Sequence, residues 1–154
     1  MRYLKTYRSL NEGFDVLMTN RERSDIESKW GITIEDIEDV LLELSDLSAL
    51  RGDCRIKTPT QELRARYIED KRIIIRLVPQ LIILADIKVT KEEYESIIST
   101  IKNRFSQMNL EVEDTTLEHE RTKVELGIYF VCLRLMLKSD VELLNRSDIK
   151  IRYS

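Results

Sequence analysis

The chain has 154 residues, 42% apolar and 34% charged, with a formal net charge of −3. That length supports one domain with a proper core, and the composition excludes a disordered chain. The acid excess speaks against a dedicated nucleic-acid binder, which needs surplus cations to neutralise phosphates, but it leaves room for a local basic face. The longest mainly apolar stretches, Ile73–Ile87 and Val124–Leu137, carry charges and are too short for a membrane span. No secretory leader is expected, because Arg2, Lys5 and Arg8 are not followed by an apolar run. Cys54 and Cys132 have neither metal spacing nor a disulfide framework and are expected as buried thiols of a reducing compartment. Asn145-Arg146-Ser147 fits the glycosylation pattern, which carries no weight without a leader.

Residues 1–13 form an arm, basic and aromatic, that ends at Gly13; residues 14–154 read as a single α+β domain. Within the arm, Tyr3, Leu4, Tyr7 and Leu10 fit one helical face. A short helix is predicted around Arg21–Trp30, capped by Thr19 or Ser24 and stopped by Gly31. The next helix runs from about Ile34 to Leu47. Thr33 is its N-cap and Asp36 its capping-box partner, while Ile34, Ile37, Val40, Leu41, Leu44 and Leu47 share a face. Strand signals follow at Cys54–Lys57, Leu63–Ile68 and Lys71–Val78. The last of these alternates, with Ile73, Ile75 and Leu77 on one side and Arg72, Ile74 and Arg76 on the other. Gln80–Val89 reads equally as a strand or a buried connection.

Thr90 opens a second long helix, Lys91–Gln107, with Glu93 at its third position and Tyr94, Ile97, Ile98, Ile101 and Phe105 as its stripe. Leu110–Glu113 and Lys123–Cys132 are strand candidates; Val131–Asn145 continues the strand or turns helical; Ile149, Ile151 and Tyr153 suggest a last short strand. The fold expected is therefore α+β: a mostly antiparallel sheet with two main helices on one face. A duplicated α-β-β unit is possible. Thr33-Ile34-Glu35-Asp36 and Thr90-Lys91-Glu92-Glu93 open matching helices, and the stretches beginning at Lys71 and Lys123 sit at similar later points.

Candidate sites are few. The first long helix is acidic at Glu35, Asp36, Glu38, Asp39, Glu43 and Asp46, which reads as a solvated face that suits a helix N-terminus or as a docking surface for a basic partner. His119, the sole histidine, fits no metal pattern and is expected in an exposed turn. Nucleophile motifs and phosphate-cradling glycine loops are missing, so no catalytic residue, metal or cofactor is expected. Arg64, Arg66, Arg72 and Arg76, with Lys71, lie on two neighbouring strand candidates. If these form a hairpin, several would share its solvent face as a basic patch. An exposed apolar face on the last strands would indicate self-association, and the oligomeric state stays open.

Met1–Glu12 resembles the N-terminal openings of small proteins of large tailed phages. In particular, Lys5-Thr6-Tyr7 and Leu10-Asn11-Glu12 resemble the capsid-targeting peptides of internal head proteins. In that family a prohead protease cuts after Glu in a Leu/Ile-x-Glu site, which implies a processing site at Leu10, Asn11 and Glu12, with the cut before Gly13. The resemblance covers fewer than a tenth of the residues, and Arg2-Tyr3-Leu4 departs from the shortest form of the motif. It implies a non-enzymatic accessory or virion-associated protein of the infected bacterial cytoplasm, packaged through this segment. Tyr3, Leu4, Lys5, Tyr7 and Leu10 would dock helix-in-groove on a head component. The alternatives are an inhibitor of a host defence protein and a small enzyme assembled from dispersed carboxylates and arginines.

Overall fold

Reciprocal caps fix where the first two helices start. The structure, a computed structural model, describes residues 6–8, 14–45, 50–115 and 128–154. Helix α1 (Asn20–Trp30) begins at Thr19. Its hydroxyl accepts from the Glu22 amide at 3.1 Å, and the Glu22 carboxylate accepts from the Thr19 amide at 3.1 Å. Gly31 ends the helix in the left-handed region at φ 69°, where a Cβ would be strained. The same pair of bonds joins Thr33 and Asp36 ahead of α2 (Ile34–Ser45), at 2.8 and 3.2 Å. Thr90 accepts from the Glu93 amide and starts α3 (Lys91–Ser106).

Strands β1 (Thr6–Arg8), β2 (Phe14–Leu17), β3 (Leu50–Lys57), β6 (Leu81–Lys88), β7 (Leu110–Asp114) and β8 (Ile128–Leu137) form one sheet in the order β1-β2-β3-β6-β8-β7. Among the described residues, β2–β3 is the one parallel pair. One face of this sheet is apolar: Val16, Cys54, Ile56, Leu81, Ile83, Val131, Leu133 and Leu110 are all buried. Ile34, Ile37, Val40 and Leu41 of α2 and Tyr94, Ile98, Ile101 and Phe105 of α3 pack into the same core. The stripes of the two long helices are thus spent on a sheet. Gln80–Val89 resolves as central strand β6, which explains its nearly continuous apolar run: it has neighbours on both sides and partial cover on both faces.

Helix α2 is followed by β3 and β6, and α3 by β7 and β8, in the order β3-β6-β8-β7. This places the second strand of each unit at the centre, β6 antiparallel to β8. That is the symmetry a duplicated α-β-β unit would give. The counterpart of β8 is β6, however, and not the Lys71 stretch that the repeat reading aligned. Arg72–Val78 belongs to an insertion between β3 and β6.

That insertion is a hairpin, β4 (Leu63–Glu69) and β5 (Arg72–Val78), and it builds a second, antiparallel sheet, β5-β4-β9, with the last strand β9 (Lys150–Tyr153). A single sheet was expected; the described residues form two. Val131–Asn145 does both things the sequence allowed, as β8 to Leu137 and then α4 (Lys138–Leu144). Leu63, Ala65 and Val78 pack against Leu143 in a small separate core, with Tyr67, Met136, Leu144 and Ile149 at its margin. The Arg146 guanidinium lies 5.4 Å from the Tyr67 ring centre.

Three further readings need correction. Thr6–Arg8 are a strand rather than a helical turn, because β2 offers an edge on which Tyr7 pairs with Val16. Glu38, assigned to the solvated acidic face, is 1% exposed, whereas Glu35, Asp36, Asp39 and Glu43 are exposed as expected. Cys132 is half-buried rather than core. It shares a sheet face with Leu84 and Arg55, opposite to the face of Cys54, so the two thiols point apart. Leu47 and Asp46 lie outside the described residues, as do Lys123–Gly127.

Candidate docking face

Asp70 and Lys71 both adopt positive φ, 48° and 64°, the geometry of a two-residue type I′ hairpin. It keeps the β4–β5 ladder unbroken from Glu69↔Arg72 to Leu63↔Val78. Residues opposite one another in such a ladder point to the same face. One face carries Leu63, Ala65 and Val78 and is covered by α4. The other carries Ile68, Ile73, Ile75 and Leu77, which are 67, 59, 65 and 39% exposed. The alternation in β5 was legible, but the face expected to be core is the one open to water. The cover lies over Ala65 and Val78 instead, where α4 packs.

Cations flank this aliphatic strip. Arg64 stands opposite Leu77 on one side and Arg152 on the other; Arg66 stands between Ile75 and Lys150. Arg64, Arg66, Lys150 and Arg152 therefore lie on the open face in two like-charged cross-strand pairs, an arrangement that costs stability. Arg64 is partly offset by Glu62 at 3.0 Å. Nearly a kilocalorie per buried methylene is available to whatever covers the isoleucines.

The predicted basic patch is thus divided. Arg64 and Arg66 come together; Arg72 and Arg76 point to the opposite face, because they occupy the other parity of β5. Arg76 is spent on Asp140 of α4, 3.2 Å away. Lys150 and Arg152 take the vacated places. Their signal, two cations alternating with Ile149, Ile151 and Tyr153, was present, but strand order was needed to set them beside Arg64 and Arg66. Of the expected docking arm, Tyr7 lies in β1, while Tyr3, Leu4, Lys5 and Leu10 lie outside the described residues. So do Asn11 and Glu12 of the processing site, and His119.

A groove of about 530 Å³ opens between the two sheets, lined by Leu63, Met136, Leu144, Ile151 and Tyr153 and rimmed by Glu111, Glu113 and Arg134. Arg134 lies 4.0 Å from Glu113, and the Tyr94 hydroxyl donates to Asp114 at 2.6 Å. Beneath the helices, burial pushes the Cys54 thiol up to about 12, with the negative charges of Glu38 and Asp15 adding to the shift. Burial also raises the Asp140 carboxyl, opposed by Arg76 and Lys29. Among the described residues, no three His, Cys, Asp or Glu side chains gather as a metal site would require, and no helix is long and apolar enough to cross a membrane. Compared with models of protein families, with curated proteins and with solved structures, the chain matches none.

Proposed function

We propose that this chain is a non-enzymatic protein-binding protein whose contact surface is the open face of the three-stranded sheet. The observation that supports it is the strip of Ile68, Ile73, Ile75 and Leu77 left in water beside four cations. Contiguous exposed aliphatic residues with a charged margin are the mark of an interaction site. The partner that fits is a protein surface with an apolar centre and an acidic rim. No aromatic ring lies among these eight residues to stack bases, so nucleic acid fits the face less well. The N-terminal resemblance to capsid-targeting peptides suggests a head component of a large tailed phage as that partner.

The test is affinity capture from phage-infected cells with the full chain and with Arg66→Glu/Arg152→Glu. A partner held by the wild type and lost from a variant that melts at an unchanged or higher temperature supports the reading. Equal capture by both chains overturns it. So does tight binding of single-stranded oligonucleotides abolished by the same variant, which would make the face a phosphate-binding surface. Mass spectrometry of purified particles, with the chain present and beginning at Gly13, tests the packaging proposal separately.

A further inference from the structure

We propose that β5 is the dimerisation edge of this protein, pairing antiparallel with β5 of a second copy about a two-fold axis through Ile75. Among the described residues β5 has a sheet neighbour on one side only. Its free edge can be assigned residue by residue. The Glu62 amide donates to the Ser154 carbonyl at 2.8 Å and the Ser154 amide to the Glu62 carbonyl at 3.0 Å, so Glu62, Arg64 and Arg66 direct their backbone groups to β9. Leu63, Ala65, Tyr67 and Glu69 therefore bond to β5, through Val78, Arg76, Ile74 and Arg72. The N–H and C=O groups of Ile73, Ile75 and Leu77 are left pointing out of the sheet.

A regular edge of this kind is what stable proteins protect with proline, charged side chains, a bulge or a partner. Across the seven residues of β5 there is no proline and no break in register, and its two charges, Arg72 and Arg76, lie on the face away from Ile73, Ile75 and Leu77, Arg76 being paired with Asp140. A second copy fits for three reasons. The antiparallel register that overlaps all seven residues sets Ile75 against its own image and Ile73 against Leu77, so every outward N–H meets an outward C=O. Arg76 then stands opposite Ile74 and Arg72 opposite Val78, so no like charges meet directly. Finally, the nearest rows of open-face cations, on the two β4 strands, stand three strand spacings apart, about 14 Å, beyond the screening length at physiological salt. An isologous contact of this type closes on itself. It would join two three-stranded sheets into one of six, with both open faces on the same side.

Sedimentation of the full chain tests this, together with two kinds of variant. The wild type is expected as a dimer. Ile75→Pro, which removes an N–H that points away from β4, is expected as a folded monomer. In Ile75→Cys the two introduced thiols would face each other, with Cα atoms about 5.5 Å apart, and should cross-link under mild oxidation. Ile73→Cys, whose image lies four residues away along the strands, should not. A wild type that stays monomeric, an Ile75→Pro chain that remains dimeric, or cross-linking of Ile73→Cys equal to that of Ile75→Cys each overturns the proposal. If Ile75→Pro does not fold, the cysteine pair still decides.

Discussion

The guanidinium of Arg76, half in water on β5, reaches 3.2 Å to a carboxylate oxygen of Asp140, which is 1% exposed in the first turn of α4. This ion pair ties the hairpin insertion to the helix beneath it. Burial raises the Asp140 pKa, and Arg76 only partly opposes that. Because the folded state holds this proton more tightly than the unfolded chain, whose carboxyl titrates near 3.8, stability falls as pH rises from there through the folded value. Asp140→Asn, similar in shape and uncharged, should melt at or above the wild type at neutral pH, and its advantage should shrink on acidification toward pH ~4. Arg76→Ala should do the reverse. It leaves the buried charge opposed by the more weakly acting Lys29, costs about 1–3 kcal/mol at neutral pH and steepens the loss of stability with rising pH. Thermal melts across this range check all three.

The two cysteines should separate by chemistry. Cys54 is buried under α2 with its thiol pushed up to about 12, so it offers almost no thiolate at neutral pH. Cys132 is half-buried on the other face of the sheet. Alkylation of the native protein followed by mass spectrometry should modify Cys132 first, and Cys54 only on unfolding. The unfolded thiol would ionise near 9.0, so this group also withdraws stability as pH climbs from about 9 toward 12.

Gly31 isolates a backbone effect. A Cβ added there meets nothing within 4 Å, yet φ is 69°. Gly31→Ala should therefore cost about 1–2 kcal/mol through the left-handed conformation alone. Gly31→Asn should cost less, since Asn tolerates that region. Denaturant midpoints with unchanged slopes would distinguish this from a change in compactness.

Local rules carried the helices, because caps and stripes act within a few residues. Thr19 with Glu22, Thr33 with Asp36, and Thr90 with Glu93 all do what their spacing implies. The sheets are less legible because the ladder joins distant residues. Arg152 stands beside Arg64 only once β9 is known to flank β4, and nothing within residues 63–78 says which face of the hairpin α4 will cover. Period two finds both faces of β5 but cannot choose between them. Glu38 shows the same limit in a helix: its charge places it on the solvated side by composition, while the geometry of α2 over β3 buries it.

The open face itself should reveal whether it is maintained at a cost. Arg66 and Lys150 are directly opposite and both cationic, a pairing that destabilises the sheet by roughly 0.2–1 kcal/mol. Lys150→Glu converts repulsion into attraction on an exposed strand where side chains are free to adjust. Its melting temperature should rise at low salt, and the gain should fade as salt screens the pair. Ile68→Ser, on the same face and 67% exposed, should leave stability within about 0.5 kcal/mol, since it empties no core. Both variants should nevertheless weaken partner capture, one through charge and the other through lost apolar contact. A surface selected only for folding would show the opposite: replacing Lys150 would gain nothing, and trimming Ile68 would cost stability without touching binding.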